Sequence, residues 1–213
     1  MNLAELAARN YAERKAQLQR LAPVRQEAKA KAETFRQLQG GTKDIRAGME
    51  LMASLKHVPN FFPTPRKLVL QMIERAGIQD CHRVLEPSAG KGDILKAIAS
   101  QDVVAVEFNY KLAEHLRQHF PRLDVRCSDF LEMEPEPTFD RVLMNPPFER
   151  GIDEDHLRHA LQFLKPGGRL VAIVSAMTGS RLTVGEVESL PDGTFANSER
   201  PTQVRTAIVT IDN

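Results

Sequence analysis

Asn145-Pro146-Pro147-Phe148 is the stretch of this chain with the most specific chemistry. Two consecutive prolines stiffen the backbone, remove two N–H donors and leave carbonyl oxygens as acceptors. The Asn145 side-chain oxygen and the Pro146 carbonyl can together accept both protons of one planar NH2 group. That raises electron density on its nitrogen and aims the lone pair at an electrophilic methyl group. Phe148 offers a flat face on which a planar base can stack. Asn145, Pro146, Pro147 and Phe148 are therefore the catalytic candidates, with Phe148 also a substrate contact.

A second set of residues suits a nucleoside-like ligand. Glu86-Pro87-Ser88-Ala89-Gly90-Lys91-Gly92-Asp93 is a glycine-bearing turn opening onto a helix, where glycine lets the backbone approach a ligand closely. A dinucleotide loop has the same position, but Leu95 replaces the third glycine of GxGxxG and Glu86 would repel a pyrophosphate. A ligand with an amino group and a sulfonium fits the carboxylate better. Glu107-Phe108 follows a second apolar run, and its acid can accept from two ribose hydroxyls. Asp129-Phe130 follows a third, where the carboxylate can accept from an adenine amino group and the ring can cover its face.

These residues must be held by elements that the apolar pattern predicts. Strands are expected at 83–86, 103–107, 124–127, 141–145, 169–175 and 206–211, and helices at 65–76, 93–100, 111–119 and 154–163. Strands alternating with helices imply parallel pairing and a doubly wound α/β sheet covered on both faces. In such sheets ligands bind beyond the carboxyl ends of the strands, where all four loops fall. Thr64 is a good helix N-cap, with Pro65 at the first helical position. Residues 176–200, with Gly179, Gly185, Pro191 and Gly193, are expected to form a mobile loop beside the site.

Residues 1–58 differ in texture. Helices are expected at 3–39, kinked at Pro23 and stopped by Gly40-Gly41, and at 44–56, with 57–62 an extended linker. This arm carries eleven Lys and Arg against six Asp and Glu, whereas 59–213 carries eighteen against twenty-two, so the basic end could meet a polyanion. The chain thus divides into a helical basic arm, 1–58, able to mediate self-association or partner binding, and an α/β domain, 59–213.

The apolar and charged fractions, 42% and 27%, are those of an ordinary globular chain and exclude disorder and fibrous architectures. The longest apolar runs fall far short of a membrane span, and the early residues hold no signal-peptide core, which points to the cytoplasm. Cys81 and Cys127 are isolated, read as small buried or half-buried thiols, and no metal site is expected.

At the NPPF residues the chain resembles the class I S-adenosylmethionine-dependent amino-methyltransferases of Rossmann-like fold, whose signature is [D/N/S]-P-P-[Y/F/W]. "FFPTP" looks like the element before their first strand, "VLEPSAGKGDIL", "VEFN" and "CSDF" like their cofactor motifs, and "VLMNPPF" like the catalytic one. The order matches the gamma arrangement of adenine methyltransferases. The resemblance implies S-adenosyl-L-methionine as cofactor. Phe62, Thr64 and Pro65 would border its methionine end, and Glu86, Pro87, Ser88, Ala89, Gly90, Gly92 and Asp93 its amino acid. Glu107 and Phe108 would meet its ribose, Asp129 and Phe130 its adenine, with Asn145 at the methyl. It further implies that Phe195 helps hold a flipped base; a hydrophobic anchor is the other reading of that ring. The substrate implied is adenine N6 in nucleic acid, DNA ahead of RNA. A protein glutamine or other amide, a non-catalytic cofactor-binding interaction protein and a dinucleotide oxidoreductase stay open beside it. About 65 residues follow the catalytic loop, with two recognisable strands at most. Recognition of a long DNA site would then need the basic arm or an oligomeric partner.

Overall fold

The computed structural model describes residues 63–213 apart from 99, 101 and 197–201, with the backbone alone of Arg150. The expected helices at 3–39 and 44–56, the linker with Phe62, and the boundary at 58/59 lie outside the described residues.

The chain enters through helix α1 (Arg66–Ala76) and then strand β1 (Arg83–Glu86). Next come a 3-10 turn at Leu95–Ala97, β2 (Asp102–Glu107), α2 (Tyr110–His119) and β3 (Asp124–Cys127). A 3-10 turn at Phe130–Glu132 leads to β4 (Phe139–Met144), and another at Glu149–Gly151 to α3 (Ile152–Leu161). Then follow β5 (Leu164–Ser175), α4 (Ala176–Arg181), β6 (Glu186–Ser189) and β7 (Thr206–Asp212). The seven described strands form one sheet in the order β3-β2-β1-β4-β5-β7-β6. β1 to β5 pair in parallel, and β7 runs antiparallel to both β5 and β6. This is the mainly parallel, Rossmann-like sheet expected from the sequence.

Strict two-residue alternation explains why the central strands read as continuous apolar runs. Val84, Val103, Ala105, Leu143, Val171 and Ile173 face one core with α1 and the α2 residues Ala113 and Leu116. Leu85, Val104, Val106, Val142, Met144, Leu170 and Ala172 face the other, with Leu157 and Ala160 of α3. Both faces are thus buried, and the loops at the carboxyl ends of the strands are left to carry chemistry.

The sequence reading needs four corrections. The helix expected at 93–100 is one 3-10 turn. Gly92 enters it at φ +83°, and the Ser100 hydroxyl bonds the His82 carbonyl, fixing the chain for β2 before a longer helix can form. Strand β5 begins at Leu164 because residues 165–168 are an irregularity in the β4 pairing, met by the Gly167 and Asn213 backbones. The described part of the stretch expected as a mobile loop, 176–196, is not one irregular connection. It contains α4, capped where the Ser175 hydroxyl accepts from Thr178 N, and β6, whose four residues are all exposed and which pairs with β7 alone. Among the described residues, the segment after Phe148 therefore holds three strands, where two at most were expected. Finally, Cys81 and Cys127 are free and exposed. Among the described residues no helix is long and apolar enough to cross a membrane.

Candidate functional site

Four loops meet at the carboxyl ends of β1 to β4. Ala89 N donates to Val106 O at 3.0 Å, tying the β1 turn to β2, and Ser128 N donates to Glu107 O at 3.2 Å, tying β3 to the same strand. Within the β1 turn Gly90 takes φ +56°, the left-handed region that glycine enters without strain. Gly92 is required twice over, by its own φ of +83° and because a Cβ there would lie 2.6 Å from the Phe120 ring.

Three carboxylates converge on this turn. Glu86, 1% exposed, is held well above the usual carboxylate range by burial, with Asp93 and Glu107 adding repulsion and a backbone bond from Leu95 opposing it. Its Oε2 is buried with no hydrogen-bond partner among the described residues. A buried carboxylate oxygen in that state favours a cationic donor, since an unmet polar group costs about 1–3 kcal/mol. Glu107 accepts from Gly90 N at 2.8 Å and from Asn109 N at 2.6 Å. Burial still pushes it up to about 7, against those two bonds and one from Phe108. A carboxylate has about four lone-pair sites, so acceptor capacity remains for a ligand hydroxyl beside these three backbone bonds.

The pH dependence follows from the raised value. Between the unfolded value of 4.5 and about 7, Glu107 holds a proton in the folded chain and not in the unfolded one. That contribution to stability is present at low pH and is lost as pH rises through about 7. Ligand hydroxyls need the ionised form, so affinity for a ribose-bearing ligand should move the other way, weakening by up to about tenfold per pH unit below 7. Calorimetric titrations from pH 6 to 8 check this. Glu107→Gln should remove the inflection near 7; an unchanged profile in that variant would assign the inflection to another group.

The third loop departs from expectation. Phe130 is 2% exposed, with the rings of His159 and Phe163 at 4.8 and 5.1 Å, so it has no face to lay on an adenine. Its apolar ring sits on the inner side of a 3-10 turn whose N-cap is Asp129, Oδ1 accepting from Leu131 N at 3.0 Å. Phe108 is the contrary case, 67% exposed immediately after Glu107. An aromatic ring that open at the crevice edge can do what Phe130 cannot.

Asn145 lies one residue beyond β4, half-buried, and its Nδ2 donates to Thr64 Oγ1 at 3.0 Å. Thr64 is therefore not the helix cap. Pro65 is, at φ −57° and ψ 136°, with Leu68 N and Val69 N donating to its carbonyl. The Thr64 hydroxyl instead accepts one N–H of the Asn145 amide, which orients the amide oxygen as an acceptor. Pro146 and Phe148 are buried and Pro147 is half-buried. Phe195, 1% exposed, sets its edge against Phe148, 8% exposed, with centroids 6.0 Å apart at 74°. Of the two readings of Phe195, base contact and hydrophobic anchor, its enclosure on the turn that follows β6 favours the anchor. The same contact engages Phe148, the ring expected to stack a base.

Sequence reading missed two residues. Asp153, fully buried, accepts from Ser175 N at 2.7 Å and joins α3 to the end of β5. His156, 7% exposed, places Nδ1 3.4 Å from Ser88 Oγ of the β1 turn. The signal was present in the sequence as polar residues at positions 153, 156 and 159, on the face of α3 that also buries Leu157 and Ala160.

Comparison with known proteins places this geometry. The family model described as methyltransferase small domain matches residues 70–189. No curated protein matches the chain. Among solved structures, the modification subunit of a putative type I restriction enzyme from Vibrio vulnificus YJ016 is similar, with a TM-score of 0.58 at 18% identity over 78% of this chain and 47% of that one. The 23S rRNA methyltransferase ErmE gives 0.59 at 21% over 72% and 70%. An RNA methyltransferase from Salinibacter ruber, in complex with S-adenosyl-L-homocysteine, gives 0.52 at 14% over 70% and 92%. This chain spans about half the length of the Vibrio subunit. At these identities the likeness is one of fold.

Proposed function

The chain belongs to the methyltransferase small domain family, and from that membership we propose that it transfers a methyl group to an exocyclic NH2, that of adenine N6 in DNA or RNA. S-adenosyl-L-methionine is the cofactor. When bound, it supplies an electrophilic methyl group on a sulfonium. The residues present fit it. The buried Glu86 oxygen calls for a cation, which the ligand's ammonium provides, and the φ +56° turn at Gly90 lets backbone approach closely. Glu107 keeps acceptor capacity for the ribose hydroxyls, Phe108 is open to cover the adenine, and Asp129 would accept from its amino group.

The observation that carries the reading is the Asn145–Thr64 bond at the exit of β4, beside this crevice. It fixes the amide with its oxygen as acceptor. Asn145 and the Pro146 carbonyl then take the two N–H groups of the target, whose lone pair faces the methyl. The nitrogen would take the methyl group as the methyl–sulfur bond breaks, with sulfur keeping the electron pair in the departing thioether, S-adenosyl-L-homocysteine, and would shed one proton toward these oxygens, from which water would carry it away. Positioned acceptors of this kind stabilise charge that develops on nitrogen and cost nothing to reorganise. A base in a duplex reaches the recess only by leaving the stack. The charge of the 1–58 arm supports a polyanionic substrate.

The same acceptor pair would serve an amide, so the substrate must be tested directly. The full chain is incubated with methyl-labelled S-adenosyl-L-methionine and separate pools of DNA, RNA and protein. Label recovered as N6-methyladenine supports the proposal. Label confined to the protein pool overturns the nucleic-acid assignment, and calorimetric binding of NAD without binding of S-adenosyl-L-methionine or its demethylated product overturns the chemistry.

A further inference from the structure

Most arginines of the described residues are occupied by carboxylates. Arg75 pairs with Glu188, Arg117 with Glu114, Arg126 with Asp124, Arg169 with Asp212, and both Arg158 and Arg181 with Glu154. Arg66, Lys67 and Arg205 are different. Each is exposed and forms no ion pair with any described residue. All three also stand at the carboxyl end of the sheet. Arg66 and Lys67 open α1, one residue beyond Thr64 across the Pro65 cap, and the Thr64 hydroxyl holds Asn145. Arg205 precedes β7, and its carbonyl accepts from Ala176 N at the end of β5. Lys111 and Arg122 are also exposed and without an ion pair among the described residues. Lys111 is also at the carboxyl end, in the first turn of α2 beyond Glu107 on the cofactor side of β4, and Arg122 lies ahead of β3 at the opposite end of the sheet.

Building on the nucleic-acid reading above, we propose that Arg66 and Lys67 on one edge and Arg205 on the other grip the phosphates of the substrate strand on either side of the Asn145 recess. β4, β5 and β7 are successive in the sheet, so the two edges are about two strand spacings apart, roughly 10 Å before side-chain reach. A strand of a few nucleotides covers that span. The exposed carboxylates near the recess support the same path. Glu149 follows Phe148 directly, and Asp192 lies on the turn that carries Phe195. Negative charge there repels phosphate from the recess and leaves it to a neutral base. Arginine suits such a rim because its planar guanidinium binds phosphate oxygens in pairs and stays charged. Contacts of this kind position a strand and carry no sequence information of their own.

The test measures binding of the full-length protein to labelled single-stranded DNA and RNA oligonucleotides by fluorescence anisotropy across a KCl series. The proteins compared are the parent chain, a variant with Arg66→Gln and Lys67→Gln, one with Arg205→Gln, and the triple variant. Each lost phosphate contact makes the slope of log K against log salt shallower by about 0.7, so the triple variant should differ by about 2 and bind at least about tenfold more weakly at physiological salt. The 1–58 arm is present in all four, so its contribution cancels. Affinity for S-adenosyl-L-homocysteine and the melting temperature should be unchanged, since the three side chains are exposed. A triple variant that binds with the parent's slope overturns the rim while leaving the proposed function standing. A parent chain that binds neither oligonucleotide yet methylates a protein amide overturns both.

Discussion

Replacing Asn145 by alanine should lower methyl transfer by about 10²–10³-fold while leaving cofactor affinity intact. The amide supplies one of two acceptors that hold the target NH2, and its nitrogen is committed to Thr64 at 3.0 Å. Its loss removes the acceptor and one hydrogen bond, which should cost about 1 kcal/mol of stability, within the reach of a routine melting measurement. Asn145→Asp should be milder than alanine. The carboxylate keeps an acceptor oxygen, and the Thr64 hydroxyl can turn to donate to it. Thr64→Val provides the companion measurement. It removes the bond that Thr64 gives the Asn145 amide, and kcat should fall by roughly tenfold with the cofactor Kd unchanged. Near-full activity of Asn145→Ala on its substrate would falsify the mechanism.

Phe195→Ala should destabilise the fold more than it weakens substrate binding. The ring is 1% exposed and packs edge-on against Phe148 in the same core as Leu190, Ile173 and Ile208. Truncating a buried phenylalanine typically costs about 3–5 kcal/mol. The melting temperature should then drop by several degrees, at about 2–4 °C per kcal/mol for a chain of this size. The turn after β6 would lose its attachment to the catalytic loop. The opposite outcome is informative too. An unchanged melting temperature with a raised KM for substrate would make Phe195 a base contact, reached by displacing it from Phe148.

Sequence by itself determined the sheet. The runs at 83–86 and 103–107 became β1 and β2 within a residue, because a strand buried on both faces has no polar alternation to hide it, and 124–127 became the edge strand β3. It also placed the NPPF loop at a strand exit and the glycine turn after β1, since prolines and glycines mark breaks through their own backbone limits. What it could not determine were features set by neighbours distant in the chain. β6 holds one apolar residue among four exposed ones, and only its ladder with β7, beginning about twenty residues later, makes it a strand. The Thr64 hydroxyl was free by local rules to cap α1, and bonds Asn145, 81 positions away, instead. Phe108 and Phe130 each follow an acid at a strand end, and composition does not distinguish them. Tertiary packing does, because the 3-10 turn begun by Asp129 carries Phe130 inward against α3, while Phe108 precedes the Asn109 cap of α2 and is left facing out. Local propensity is written in adjacent residues, whereas the partner that satisfies a donor or buries a ring is chosen only when the sheet brings distant segments together.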